Sequence, residues 1–201
     1  MPPGGRAATG PHASDIEGAL MLRGEKVLIR AVTKEDLVPL HRLHEDVETV
    51  VGATPTPWLP QTAEQAIARY EKREPDPANV EFAVQAVSGE LAGIGVVWGV
   101  DTLNRNGHLG MSLLPEARGH GYAPDALRLL CDYAFRIRGL HRLGLETLVT
   151  NTAMIAAAER AGFRREGTLR GNAWVAGAFV DEALFGLLAA EFTGPRAGGD
   201  L

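Results

Sequence analysis

Six residues, Arg118-Gly119-His120-Gly121-Tyr122-Ala123, join an alternating apolar run that ends at Leu113-Leu114 to a long helical run, DALRLLCDYAF. Glycines at this junction let the backbone turn tightly and bring its N–H groups close to a ligand. The helix start that follows adds partial positive charge, so strand, turn and helix together make an anion cradle suited to a pyrophosphate. Two better-known cradles do not fit. A dinucleotide loop needs a third glycine where Pro124 stands, and a P-loop needs Gly-Lys-Ser/Thr. A β–α turn without any ligand uses glycine in the same way, so the loop alone names no ligand.

The rest of the chain alternates between strand and helix patterns. KVLIRAV (26–32) reads as a strand; Thr33 then caps a helix, with Asp36 three residues on as in a capping box. This helix runs through LVPLHRLHEDV, and Pro39 requires an early-turn position. A Pro-rich loop, GATPTPWLPQT, leads to a second helix at about Ala63–Arg73, capped by Thr62. EFAVQAV and LAGIGVVWGV form a hairpin around Ser-Gly-Glu, and HLGMSLL is the next strand, ended by Pro115. After the glycine turn and its helix come strand RLGLETLVT, helix TAMIAAAERAG and the strands FRREGTLRG and FVDEALFGLL. Helices interleaved with hairpins predict a mixed α/β sheet with helices on both faces. Residues 1–20 and 194–201, rich in Gly, Pro and Ala, read as a flexible leader and tail around one domain at 21–193.

Charge and cysteine content narrow the function. The net charge is −5, without the basic footprint of a nucleic-acid binder. Residues 31–110 carry 12 Asp/Glu against 6 Lys/Arg, and residues 111–170 carry 9 Arg against 6 Asp/Glu. The first stretch suits a cationic ligand and the second an anionic one. Glu45, Asp46 and Glu48 are the densest acidic cluster. Cys131, the sole cysteine, falls beside Leu127 and Leu130 at helical spacing and reads as a buried structural thiol. No apolar run reaches the ~18 residues of a membrane span, and the first residues lack the apolar core of a secretory signal. The cytoplasm is the expected compartment, with no membrane or nucleic-acid partner.

Arg118-Gly119-x-Gly121-x-Ala123 also matches the Arg/Gln-x-x-Gly-x-Gly/Ala signature of GNAT-superfamily acetyltransferases, which this chain resembles over roughly residues 22–190. Asn151 with AERAGF resembles the superfamily's second block, and EGTLRGNAWVAGAFVDEALFGLL its C-terminal hairpin. The branch that acetylates the N-terminal alanine of ribosomal proteins is the most similar. The resemblance implies a mixed, mostly antiparallel sheet of about seven strands with a splayed central pair. It implies acetyl-CoA or another acyl-CoA as co-substrate, no metal, and transfer of the acyl group to a small-molecule amine or a protein N-terminus. A homodimer is the oligomeric alternative to a monomer.

Carried over residue by residue, the resemblance places the pantetheine arm against Met111, Ser112 and Leu113. The pyrophosphate falls on Arg118, Gly119, His120, Gly121, Tyr122 and Ala123, and a further contact on Asn151, which also suits a helix N-cap. The common Ala-Glu-Ile-Gly-Tyr of the fourth strand appears here as Gly107-His108-Leu109-Gly110-Met111, so His108 stands in the usual position of a catalytic Glu. A histidine suits proton transfer near neutral pH; Glu81 is the other candidate base. The proton donors of relatives are replaced by Met154 and Ala158, so the thiolate leaves without a dedicated acid, the phenols of Tyr122 and Tyr133 being the alternative donors. Trp58 and Trp98 are candidate walls of the acceptor pocket. Without the usual Glu and acid, a non-catalytic acyl-CoA-binding module of the same fold is the alternative.

Overall fold

In the computed structural model, residues 21–45, 47, 50 and 58–194 are described. The expected leader 1–20, the tail apart from Gly194, and Asp46 and Glu48 lie outside the described residues. Eight strands form one sheet: β1 (Leu22–Arg23), β2 (Val27–Arg30), β3 (Val80–Ala86), β4 (Leu91–Asp101), β5 (Asn106–Leu113), β6 (Arg142–Leu148), β7 (Arg164–Val175) and β8 (Ala178–Leu188). Among the described residues four α-helices accompany them: α1 (Lys34–Glu45), α2 (Ala63–Glu71), α3 (Tyr122–Asp132) and α4 (Thr152–Ala161). The two-residue β1 is the strand beyond the expected seven. α3 continues into a π-helical turn, Tyr133–Ile137, which sequence periodicity does not signal.

The strand order is β1-β2-β3-β4-β5-β6-β8-β7. All neighbours pair antiparallel except β5 and β6, which are parallel. That parallel pair is short: Asn106–Arg142, Gly107–Leu143 and His108–Gly144. Beyond it β5 stays paired with β4 through Leu113, and β6 with β8 through Leu148. The two strands therefore part after His108, giving the expected splay.

Alternation along the strands sorts the side chains onto two faces. Leu109, Val97, Val84, Ile29, Leu143 and Leu145 are buried with Leu127, Leu130, Cys131 and Ala134 of the α3 segment and with Ala157 and Ala158 of α4. Each fully buried Leu contributes about 1.5–3 kcal/mol. Burial pushes the Cys131 thiol well up, as an inert core thiol requires. On the other face, Arg30 of β2 and Glu81 of β3 reach α1 and the end of α2 through ion pairs with Asp36 and Arg73. Among the described residues no helix is long and apolar enough to cross a membrane.

Two acids fasten helices to the sheet. Asp125, buried in the first turn of α3, accepts from the backbone N–H of Lys26 at 2.8 Å and of Val27 at 3.0 Å, joining that helix to β2. Asp36 accepts from the backbone N–H of Thr33 at 2.8 Å, the carboxylate half of the expected capping box. It also takes two hydrogen bonds from Arg30, at 2.6 and 2.9 Å. Thr62 and Gln65 complete a full capping box on α2. Pro39 lies inside α1 rather than in its first turn, so the Glu35 carbonyl forgoes its helical partner.

The Arg30 guanidinium holds the Asp36 carboxyl below the usual aspartate range, against the opposing effect of burial. A carboxyl that titrates lower when folded adds stability that is fully present above about pH 4. That stability is lost as pH falls through the depressed value. Asp36→Asn should therefore lower the urea midpoint at neutral pH and flatten its decline on the acid side, measured by denaturation from pH 2.5 to 7.

Candidate active site

Where β5 and β6 diverge, the N-terminal ends of α3 and α4 close round a cleft of about 720 Å³. Its walls include Met111, Ser112 and Leu113 of β5, the loop residues Arg118, Gly119 and Gly121, and Tyr122 and Ala123 at the start of α3. From the opposite side come Leu148, Asn151, Met154 and Arg160. All the residues expected to hold the acyl donor thus line one cavity, except His120. That ring turns aside, with Nδ1 2.9 Å from the Arg118 carbonyl and its face stacked on Tyr122 at 5.4 Å.

The loop takes its shape from two left-handed residues, Gly119 at φ +79° and Gly121 at φ +75°. Gly121 caps α3, so the free N–H groups of the first helical turn open at the loop. Behind the loop stands Lys26, whose Nζ donates to the His120 carbonyl at 3.0 Å. Asp125 fixes the backbone of that lysine. A Cβ on Gly121 would come within 2.9 Å of Lys26 Nζ. A Cβ on Gly119 would meet nothing within 4 Å. The loop is held from the rear and open in front, as a phosphate-bearing ligand needs.

Asn151 is the N-cap of α4: its Oδ1 accepts from the Met154 N–H at 3.1 Å, and the residue also borders the cleft. Met154 lines the cleft while Ala158 is fully buried beneath it, so neither offers a proton donor. Tyr122 is in the cleft wall. Tyr133 is elsewhere, in a second hollow of about 430 Å³ with Glu81 and Arg138; its hydroxyl accepts from Arg138 at 3.4 Å.

His108 occupies the fork itself, as the last β5 residue paired with β6. Its Nδ1 lies 2.9 and 3.2 Å from the two carboxylate oxygens of Glu146. Its ring stacks on Trp98 at 4.5 Å and 26°. Glu146 was not evident from the sequence; the one signal is an acid two places beyond Gly144 in a strand with no other carboxylate. Glu81 shares this face of the sheet, but the ladder sets it opposite Val96 and so opposite Gly110. Two strand spacings, roughly 10 Å, separate it from β5, and its carboxylate is engaged by Arg73 at 2.7 Å. Of the two candidate tryptophans, Trp98 borders His108, whereas Trp58 donates its Nε1–H to the His44 carbonyl at the end of α1 at 3.0 Å.

Residues 26–164, which hold the fork, the loop and both flanking helices, match the model of the acetyltransferase (GNAT) domain family. The chain belongs to that family. It is an N-acetyltransferase, and its acyl donor is acetyl-CoA. Among curated relatives, the spermidine N(1)-acetyltransferase of Vibrio cholerae serotype O1 is 24% identical over 156 residues, covering 78% of this chain and 89% of the relative. The putative ribosomal N-acetyltransferase YdaF of Bacillus subtilis (strain 168) is 32% identical over 108 residues, covering 54% of this chain and 59% of the relative. The fold is that of the crystal structure of spermidine N-acetyltransferase from Vibrio cholerae in complex with CoA and spermine. The TM-score is 0.75 at 23% identity, covering 82% of this chain and 96% of that one.

Gly121→Val forces a β-branched residue into a left-handed backbone and drives a side chain into Lys26. The loop should lose its shape and CoA affinity should fall about tenfold or more, roughly 1.4 kcal/mol, by calorimetry. Unchanged affinity in a folded variant would place the pyrophosphate elsewhere.

Proposed function

We propose that the acetyltransferase acetylates the primary amine of a small polycationic molecule of the polyamine class, with His108 as the general base. The observation that carries this reading is His108 at the fork, bordering the gap that opens between β5 and β6. Bound acetyl-CoA supplies a thioester whose carbonyl carbon takes the amine nitrogen and whose thiolate departs. The chain's part is to hold and deprotonate. The glycine loop and the start of α3 hold the pyrophosphate, and Met111 to Leu113 offer backbone groups to the pantetheine amides. Asn151 stands across the cleft from them. Near the fork, His108 Nε2 takes the proton that the attacking amine loses, within the 10²–10⁴-fold range of a positioned base.

The polyamine reading draws on chemistry of the same face. Glu146 stands beside His108, and Glu182, opposite Leu148 on β8, points to the same side of the sheet. Partly exposed carboxylates attract a ligand with several ammonium groups. The acidic bias of residues 31–110 has the same sign. The relatives named as spermidine acetyltransferases match over most of their length. Acetylation of a ribosomal-protein N-terminus, of the alanine type, is the second reading. It is favoured by the 32% identity with the putative ribosomal enzyme, over about half of this chain.

No side chain at the usual acid positions protonates the departing thiolate, which leaves water or Tyr122 for that step. CoA release followed across polyamines, amino sugars and alanine-initiated peptides separates the acceptors. Polyamines should give the highest kcat/KM; a preference for the peptides would establish the second reading, and no turnover with any amine would overturn both. His108→Ala should lower kcat about 10²–10⁴-fold while CoA affinity by calorimetry stays within about twofold. A variant that keeps most of its activity would remove His108 as the base.

A further inference from the structure

We infer that Glu146 is the positioning residue of this site: it holds the His108 imidazole in the Nδ1–H tautomer and so keeps Nε2 free to accept a proton. The inference rests on the reading of His108 as the base. Both Glu146 oxygens face Nδ1, at 2.9 and 3.2 Å. An ionised carboxylate has lone pairs and no proton to give, so the hydrogen between them belongs to Nδ1. A neutral imidazole carries one N–H only, and Nε2 is left as the acceptor. With no acceptor at Nδ1 the ring can protonate Nε2 instead, and the base then presents a donor to the amine it should deprotonate.

Three strands converge on this ring, each contributing a different restraint. β5 supplies the imidazole at the last position before the splay. β4 supplies Trp98, whose indole lies against the ring and fixes its plane; once the ring takes a proton, the same π face meets a cation. β6 supplies a residue without a side chain, Gly144, directly opposite His108. A Cβ there would sit 2.9 Å from Nδ1 and 3.2 Å from Cε1, in the space the ring occupies. Two residues further, where β6 has left β5, Glu146 reaches back to the ring. The side chains of His108 and Glu146 retain 35% and 28% exposure. Acceptor and solvent thus reach the pair while its geometry is set by the strands. Among the described residues the Glu146 carboxylate has no other hydrogen bond or ion pair.

The test uses the full-length enzyme labelled with ¹⁵N-histidine. In the neutral ring, two-bond ¹H–¹⁵N correlations should show Nδ1 protonated at His108. Glu146→Ala should move the proton to Nε2 and lower kcat about 10²-fold or more, on the scale of a general base. KM for acetyl-CoA should stay within about threefold. Glu146→Gln, which keeps an acceptor oxygen but no charge, should recover part of kcat together with the Nδ1–H signal. Gly144→Ala is an independent route: it leaves the carboxylate in place, displaces the ring, and should lose kcat to a similar degree at unchanged CoA affinity. A Glu146→Ala variant with wild-type kcat, or with lost kcat and an unmoved tautomer, overturns the inference while leaving His108 as the base. Full activity in His108→Ala instead overturns the base reading on which it stands.

Discussion

The parting of β5 from β6 after a three-residue parallel ladder is the constraint on which the site depends. A strand edge in the middle of a sheet normally has its N–H and C=O groups satisfied by a neighbour. Here Leu109 to Leu113 keep β4 on one side and lose β6 on the other. That stretch of backbone is left for a ligand to pair with, as a further strand would. The same divergence opens the cleft, places its mouth at the start of α3, and sets a histidine at the vertex. The cleft and the His108–Glu146 pair are therefore two ends of one irregularity in an otherwise continuous sheet.

The irregularity is held by contacts distant in sequence. Asp125 grips the backbone of Lys26 and Val27, and Lys26 in turn braces the loop through the His120 carbonyl. Gly24 makes room for that acid, since a Cβ at that position would fall 2.5 Å from its carboxylate. The first strands thus support, from behind, a loop almost a hundred residues later. A loop whose backbone is already arranged needs less ordering to take up a ligand.

Much of this could be read from residue order. Period-two alternation located the strands, Thr33 and Thr62 located two helix starts, and the glycine pair with its following helix located the loop that borders the cleft. The unread parts depend on three-dimensional register. Glu146 meets His108 because β6 pairs in parallel for three residues and then leaves, and no local pattern encodes where a parallel ladder stops. Glu81 and His108 look equivalent as strand acids or bases, yet the ladder sets their strands two spacings apart, with β4 between them. His120 sits inside the motif but faces out, because Gly119 and Gly121 turn the backbone on either side of it. The π-helical turn after Asp132 carries Tyr133 to the far hollow, away from the cleft that its helix begins.

The buried sulfur of α3 has a practical and chemical corollary. Cys131 is the sole cysteine, is fully enclosed, and has its thiolate disfavoured by that enclosure. A nucleophilic sulfur near a thioester would compete with the amine by transthioesterification, taking the acyl group and releasing the CoA thiolate. Shielded in the core, this sulfur does not do so while the fold is intact. Thiol-reactive dyes added to the native enzyme therefore count released CoA against a blank that stays flat until the protein unfolds.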